Sequence, residues 1–153
     1  MANILSGKDV AAALNAQLVE RSAALQAKGV TPTLAIVRVG ENGSDLSYER
    51  GATKRAETVG VKVVNFVLPV DCTKEELIAV IDQINNDPAI HGCLMFRPLP
   101  AHLADDQNEI CNRLDPKKDV DSMTHLSNAG VYEGRADLGY APCTAQACME
   151  ILD

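Results

Sequence analysis

Three short apolar runs, each ended by glycine or proline, most constrain the fold of this chain. They cover residues 34–39, 61–68 and 90–96, and segments with a helical spacing of apolar residues separate them. An apolar run of this length bounded by turn residues is typical of a buried strand. Strands that alternate with helices form parallel sheets covered by helices on both faces. The sequence therefore predicts an α/β fold, with three α/β/α layers around a mostly parallel sheet.

The segments around these runs carry the helix signals. Apolar residues three and four apart predict a first helix that Gly29 ends, and Thr73 with Glu76 forms a capping box for a third. Glycines at positions 130, 134 and 139 indicate a loop. The predicted helices are 8–28, 45–59, 74–84, 105–114 and 145–152, and residues 124–140 are predicted to be loop.

Composition limits the classes of function. The 153 residues are 46% hydrophobic, which suits a single domain with an aliphatic core. A net charge of −7 argues against a nucleic-acid partner. The five cysteines form no Cys-x-x-Cys pair, so free thiols in a reducing cytoplasm are expected and a zinc site is not. No apolar run reaches the length of a membrane span, so we expect neither a membrane partner nor a targeting segment.

Charged residues follow the last apolar run. Arg97 stands between this run and Pro98, where it needs solvent, a carboxylate ligand or a neighbouring aspartate. Asp119 and Asp121 are two residues apart, so in an extended segment both face the same side. One of them can brace the loop while the other contacts a ligand, and a plain turn is the alternative. A magnesium site would need more oxygen ligands, so no metal is predicted.

The second predicted helix carries two further candidates. Tyr48 is either a core filler or a phenol that lines a cleft, and the core filler is the more common case. Lys54 and Arg55 on the same helix are typical of a solvated face.

Taken together, several segments resemble the methylenetetrahydrofolate dehydrogenase/methenyltetrahydrofolate cyclohydrolase family. They follow the order and spacing of that family over nearly the whole chain. The matching segments are 32–36 through Val39-Gly40, Tyr48 with Gly60, Gly92 through Pro98-Leu99-Pro100, Pro116 with 118–121, and Pro142-Cys143-Thr144.

The resemblance implies roles for particular residues. Tyr48 matches the tyrosine that stacks on the folate pterin, and Asp121 matches the aspartate that hydrogen-bonds the amino-pyrimidine edge. Substrate contacts are likewise implied for Phe96, Pro98, Leu99 and Pro100, which form the strand end and the rigid loop beside the ligand.

Two departures from the family pattern affect the cyclohydrolase reaction. The active-site lysine expected four residues after Tyr48 is Ala52, and its glutamine partner is Phe96. Lys54 is rotated by roughly 200° from Ala52 and should point away from the cleft. Arg97 replaces an apolar residue. Cyclohydrolysis needs a positioned water and a proton transfer, so these departures bear on that step. We predict that the dehydrogenase step is kept. The cyclohydrolase step would then be weak or would use Arg97 or Lys54 as a catalytic group.

The resemblance also implies a domain organisation. Residues 1–142 would form the folate-binding catalytic domain, and 143–153 would begin the helix that links it to an absent Rossmann domain for NAD(P). NAD(P) is then expected in the full-length parent and no cofactor on this chain. The expected ligands are tetrahydrofolate derivatives, and the parent is expected to be a homodimer. The alternative is a non-catalytic folate-binding domain that lacks the Lys/Gln pair.

Overall fold

The computed structural model of the protein describes residues 5–152, in which helices and strands alternate as predicted. Besides the elements below, residues Ala101–Leu103 form one turn of 3-10 helix. The elements are α1 (Gly7–Gln26), β1 (Thr33–Val39), α2 (Gly43–Thr58), β2 (Lys62–Leu68), α3 (Lys74–Asn86), β3 (Gly92–Met95), α4 (Gln107–Asn112), α5 (His125–Glu133) and α6 (Cys143–Leu152).

The three strands form a parallel sheet in the order β2-β1-β3. In the central strand β1, Ala35, Ile36 and Val37 are all fully buried. Because successive strand residues point to opposite faces, β1 is covered on both sides. Ala35 and Val37 belong to the main apolar cluster, which also contains Leu77 and Ile81 of α3. The predicted parallel α/β architecture is therefore confirmed.

Helix α3 begins where its local sequence predicts. The Thr73 side chain accepts a hydrogen bond from the Glu76 amide, and the Glu76 carboxylate accepts one from the Thr73 amide. This capping box satisfies two backbone donors that a helix N-terminus otherwise leaves free. At the other end, the Lys118 ammonium donates to the carbonyl oxygens of Ile84, Asn85 and Asp87 at 2.6, 3.0 and 2.7 Å. A cation at the carboxyl end of a helix also complements the helix dipole.

The predicted loop at 124–140 is wrong, because it contains α5. Thr124 caps this helix by accepting a hydrogen bond from the Ser127 amide. Gly130 lies inside the helix, where an added Cβ would come within 2.9 Å of the Arg135 carbonyl oxygen. Gly134 ends the helix with φ of 69°. Gly130 therefore permits close packing, and Gly134 permits the left-handed backbone that ends the helix.

The remaining predicted elements exist with shifted ends. Strand β3 is shorter than the predicted 90–96, since Ile90 and His91 precede it and Phe96 follows it. Helix α4 is likewise shorter than 105–114, and α6 begins two residues before 145.

Candidate functional site

A groove of about 340 Å³ lies at the carboxyl end of β3. Ligands of parallel α/β sheets bind at this carboxyl edge, beyond the strand ends. Strand β3 and the residues after it provide one wall, the start of α2 provides another, and Asp121 closes the end. The lining residues are Ser44, Asp45, Tyr48, Leu94, Met95, Phe96, Arg97 and Asp121.

Two aromatic rings meet in this groove. The Tyr48 and Phe96 ring centroids are 5.5 Å apart, and the planes are nearly perpendicular at 89°. Tyr48 is 62% exposed, so the core-filler interpretation is wrong. An exposed aromatic face held by an edge-to-face contact offers a platform for a planar ligand.

Arg97 and Asp121 form an ion pair across the end of the groove. Their closest atoms, Nη2 and Oδ2, are 3.5 Å apart, and each side chain is 35% exposed. The other Asp121 oxygen accepts a long hydrogen bond of 3.4 Å from the Cys143 amide at the start of α6. These contacts are long, so the carboxylate keeps lone pairs that can accept hydrogen bonds from a ligand.

Asp119 takes the bracing role that the sequence left open between the two aspartates. It is fully buried, and its two oxygens accept hydrogen bonds from the amides of Met123 and Thr124 at 2.9 and 2.8 Å. Its backbone also forms a bridge to Cys93 of β3. The pair therefore divides its tasks, with Asp119 fixing the turn on which Asp121 is presented.

A buried ion pair that the sequence analysis missed anchors α2 beside the groove. Arg38 of β1 is 6% exposed, and its Nε lies 2.7 Å from the Glu49 carboxylate. Arg38 also donates to the carbonyl oxygen of Gly40. Because Tyr48 and Glu49 are consecutive residues of α2, this contact holds the helix segment that carries the tyrosine. The signal in the sequence was an arginine inside an otherwise apolar strand run.

The loop prolines lie beside this groove and not in it. Pro98, Leu99 and Pro100 line a neighbouring cavity of about 290 Å³ near Gly40 and Val70. Leu99 is buried, and its amide donates to the Gln107 side chain at 2.9 Å. The two cavities share Asp45. The structure thus brings Tyr48, Phe96, Arg97 and Asp121 together and separates the loop residues from them.

Helix α2 places Ala52 beside the tyrosine and Lys54 elsewhere. Ala52 lines a second, shallow groove together with Tyr48, Gly51 and Arg55. Lys54 is exposed and lines neither groove. The predicted catalytic contribution of Lys54 therefore has no support in the geometry. Arg55, interpreted from sequence as a solvated charge, lies closer to the site than Lys54 does.

The cysteine thiols near the site are poor nucleophiles. Burial raises the pKa of Cys93 to about 12. Burial and the neighbouring Asp121 carboxylate also raise the pKa of Cys143. Since the thiolate is the reactive form, neither side chain is poised for covalent chemistry.

Metal-binding clusters and membrane-spanning helices are absent from the described residues. Within residues 5–152, no group of three or more His, Cys, Asp or Glu side chains is placed to hold a metal ion. None of the helices in this range combines the length and the apolar character that crossing a membrane requires.

The sequence matches a family that is described as tetrahydrofolate dehydrogenase/cyclohydrolase, catalytic domain, over residues 5–121. The chain belongs to this family. Curated relatives support the assignment over nearly the whole of this chain. The bifunctional protein FolD of Alkaliphilus oremlandii is 41% identical over 152 residues, which cover 99% of this chain and 52% of that protein. The bifunctional protein FolD of Carboxydothermus hydrogenoformans is 44% identical with the same coverage of both chains.

Solved structures agree with the family assignment. The bifunctional enzyme FolD from Campylobacter jejuni superposes with a TM-score of 0.92 at 31% identity, covering 98% of this chain and 52% of that chain. The Trypanosoma brucei FolD, solved with NADP and an inhibitor, has a TM-score of 0.90 at 29% identity and covers 99% and 51%. The chain thus spans about half the length of the FolD proteins that it matches.

Proposed function

We propose that the groove binds a tetrahydrofolate derivative, and that this chain is the catalytic part of an enzyme that oxidises 5,10-methylenetetrahydrofolate with NAD(P). The observation that carries the proposal is the convergence of the exposed Tyr48 ring and the Asp121 carboxylate in one groove at the strand ends. The names of the relatives favour an enzyme domain over a non-catalytic folate-binding domain.

The groove matches the two chemical parts of a pterin. The flat ring system stacks on Tyr48, whose orientation the Phe96 edge contact maintains. The Asp121 carboxylate accepts hydrogen bonds from the 2-amino group and the neighbouring ring N–H, because a carboxylate offers two acceptor oxygens side by side. Together the two side chains fix both the plane and the rotation of the ligand.

The oxidation step requires little chemistry from the residues of this chain. NAD(P) supplies the hydride acceptor when it is bound, so the chain's residues have to hold the one-carbon unit in a fixed orientation. A Gly-x-Gly-x-x-Gly loop that would cradle the cofactor phosphates does not occur in the sequence. We assign the nucleotide site to a further domain of the longer protein, as in the two-domain parent that the resemblance implies.

Hydrolysis of the methenyl product requires more chemistry from these residues. A water must be positioned and a proton moved, and side chains that do this contribute typically 10² to 10⁴-fold. Ala52 and Phe96 occupy the positions of the family's lysine and glutamine, and neither can hold a water or move a proton. We therefore propose that cyclohydrolase activity is weak, with Arg97 as the remaining candidate for a catalytic group in the groove.

Binding of tetrahydrofolate, measured by isothermal calorimetry under anaerobic conditions, tests the main proposal. The wild-type chain is expected to bind, and Asp121→Ala is expected to weaken binding at least tenfold, because a charged hydrogen-bond partner is lost. Asp105→Ala is the matched control, since Asp105 is exposed and lies outside the groove. Absence of binding by folded wild-type protein would contradict the proposed function.

Hydrolysis of 5,10-methenyltetrahydrofolate, followed by its absorbance, tests the second proposal. The wild-type rate is expected to stay near the uncatalysed rate, and the double variant Ala52→Lys/Phe96→Gln is expected to raise it by about 10². A high wild-type rate that survives Arg97→Leu and Lys54→Leu would disprove the idea that the missing pair limits hydrolysis.

Localisation and assembly complete the proposal. The five cysteines are all unpaired, which supports a reducing compartment such as the cytoplasm. We further propose that the longer protein is a homodimer, as the family resemblance implies.

A further inference from the structure

The geometry of the Arg97–Asp121 pair predicts little contribution to the stability of the fold. The nitrogen–oxygen distance is 3.5 Å, and both side chains are 35% exposed. Exposed ion pairs with such geometry contribute little or nothing to stability. Arg97 makes no other side-chain hydrogen bond among those found in residues 5–152, so most of its five N–H donors face solvent or the groove.

Among the described residues that line the 340 Å³ groove at the end of β3, Arg97 is also the one cation. The family resemblance implies an apolar residue at this position, and the guanidinium adds hydrogen-bond donors that an apolar side chain would not provide. Its neighbour in the groove is the carboxylate that accepts hydrogen bonds from the ligand. A donor and an acceptor group therefore stand side by side at the closed end.

We propose that Arg97 is a specificity-determining residue, which recognises the 4-oxo group of the ligand heterocycle while Asp121 binds its 2-amino and N3–H groups. The inference rests on the proposed function, because it takes the ligand to be a reduced pterin. On a 2-amino-4-oxopyrimidine edge, two donors are followed directly by an acceptor. The carboxylate of Asp121 matches the two donors, and the adjacent guanidinium matches the acceptor.

A 4-amino heterocycle does not fit this arrangement. Its amino group presents donors toward the donors of Arg97, and its N3 carries no hydrogen for Asp121. A site built to hydrogen-bond a ligand group rejects an analogue that lacks it, because the polar groups of the protein are then left unpaired. The pair Arg97–Asp121 is therefore expected to select 4-oxo over 4-amino ligands.

The test compares two probes, tetrahydrofolate and 4-amino-4-deoxytetrahydrofolate, by calorimetry at a pH where the 4-amino analogue is uncharged. Wild-type protein is expected to favour tetrahydrofolate, and Arg97→Leu is expected to lower the affinity ratio about tenfold. The lost discrimination should come from weaker tetrahydrofolate binding. Arg50→Leu is the matched control, since Arg50 is exposed on α2 and lines neither groove.

The outcomes separate the two proposals. Equal affinities of wild-type protein for both probes would overturn the role of Arg97 and leave the folate proposal standing. An Arg97→Leu variant that weakens both probes by the same factor, as expected if Arg97 binds an anionic tail of the ligand, would also overturn it. Failure of folded wild-type protein to bind tetrahydrofolate would overturn both. Circular dichroism of each variant verifies folding, and Arg97→Lys should restore part of the ratio.

Discussion

Asp119 and Asp121 are the same residue type two positions apart, yet their surroundings are opposite. Asp119 is fully buried, and both its oxygens accept short hydrogen bonds from backbone amides. Asp121 is 35% exposed, and its contacts to Arg97 and Cys143 are 3.5 and 3.4 Å long. Each oxygen of the Asp119 carboxylate already accepts a hydrogen bond from the protein backbone. The Asp121 carboxylate keeps acceptor capacity for another molecule.

This difference distinguishes a structural polar group from a binding one. Buried polar groups are retained when every hydrogen bond is made inside the protein, and removing one partner leaves the other unpaired. A half-exposed group with long contacts contributes little to folding and remains available. The turn at Asp119 is therefore expected to govern stability, and the groove at Asp121 to govern affinity.

The largest expected effect is on unfolding of Asp119→Ala. Two buried amides lose their acceptor, so the free energy of unfolding should fall by about 3 kcal/mol. The matched variant Asp121→Ala should change it by less than about 1 kcal/mol. Urea denaturation of both variants measures this contrast, and similar losses in the two would break the comparison.

The second prediction concerns Lys118, which caps α3 from the same turn. Its ammonium donates to three carbonyl oxygens, so Lys118→Met should lower the free energy of unfolding by about 2 kcal/mol. Its neighbour Lys117 is exposed, and Lys117→Met should leave stability unchanged within about 0.5 kcal/mol. Equal urea midpoints for the two variants would show that the cap carries no stability.

The third prediction extends the comparison to the aromatic wall of the groove. Tyr48→Ala should weaken tetrahydrofolate binding by about 1 kcal/mol through lost stacking. The unfolding free energy should stay within about 0.5 kcal/mol of wild type, because the ring is 62% exposed. Tyr132 is 94% exposed and lines none of the groove, so Tyr132→Ala is the control. A Tyr48→Ala variant with full affinity would remove this side chain from the site.

The smallest effect is a pH dependence far from the groove. The Arg113 guanidinium hydrogen-bonds Asp82 and holds the pKa of that carboxyl below its ordinary value. A lowered native pKa stabilises the fold above the ordinary carboxyl pKa, and this stabilisation disappears as pH falls through the lowered value. Asp82→Asn should therefore melt slightly below wild type at neutral pH and match it in acid. A melting difference independent of pH would contradict this ion-pair origin.

The sequence predicted what depends on local signals. The capping box of α3 involves residues three apart, and the alternation of strands with helices follows from apolar runs and turn residues. The position of Ala52 beside Tyr48 follows from the helical repeat, and the structure places both on one groove. These features need no information about distant parts of the chain.

What the sequence missed depends on contacts between side chains and elements that residue spacing does not show. Glycines indicated a loop at 124–140, but Gly130 lies inside α5, where residues 135 and 138 approach so closely that a side chain would clash. The anchoring pair of Arg38 and Glu49 joins a strand to the next helix, which sequence spacing alone does not show. Likewise, Leu99 lines the neighbouring cavity and its amide hydrogen-bonds the Gln107 side chain, which the sequence analysis did not predict.

The side chain at position 52 lines a shallow groove one turn from Tyr48. A longer side chain at this position would extend into that groove, beside the tyrosine. Under the proposed function, residues 52 and 96 together would let a lineage change hydrolysis of the methenyl product while the oxidation step is preserved. Changes at these two positions would then set how far the product is processed before it leaves.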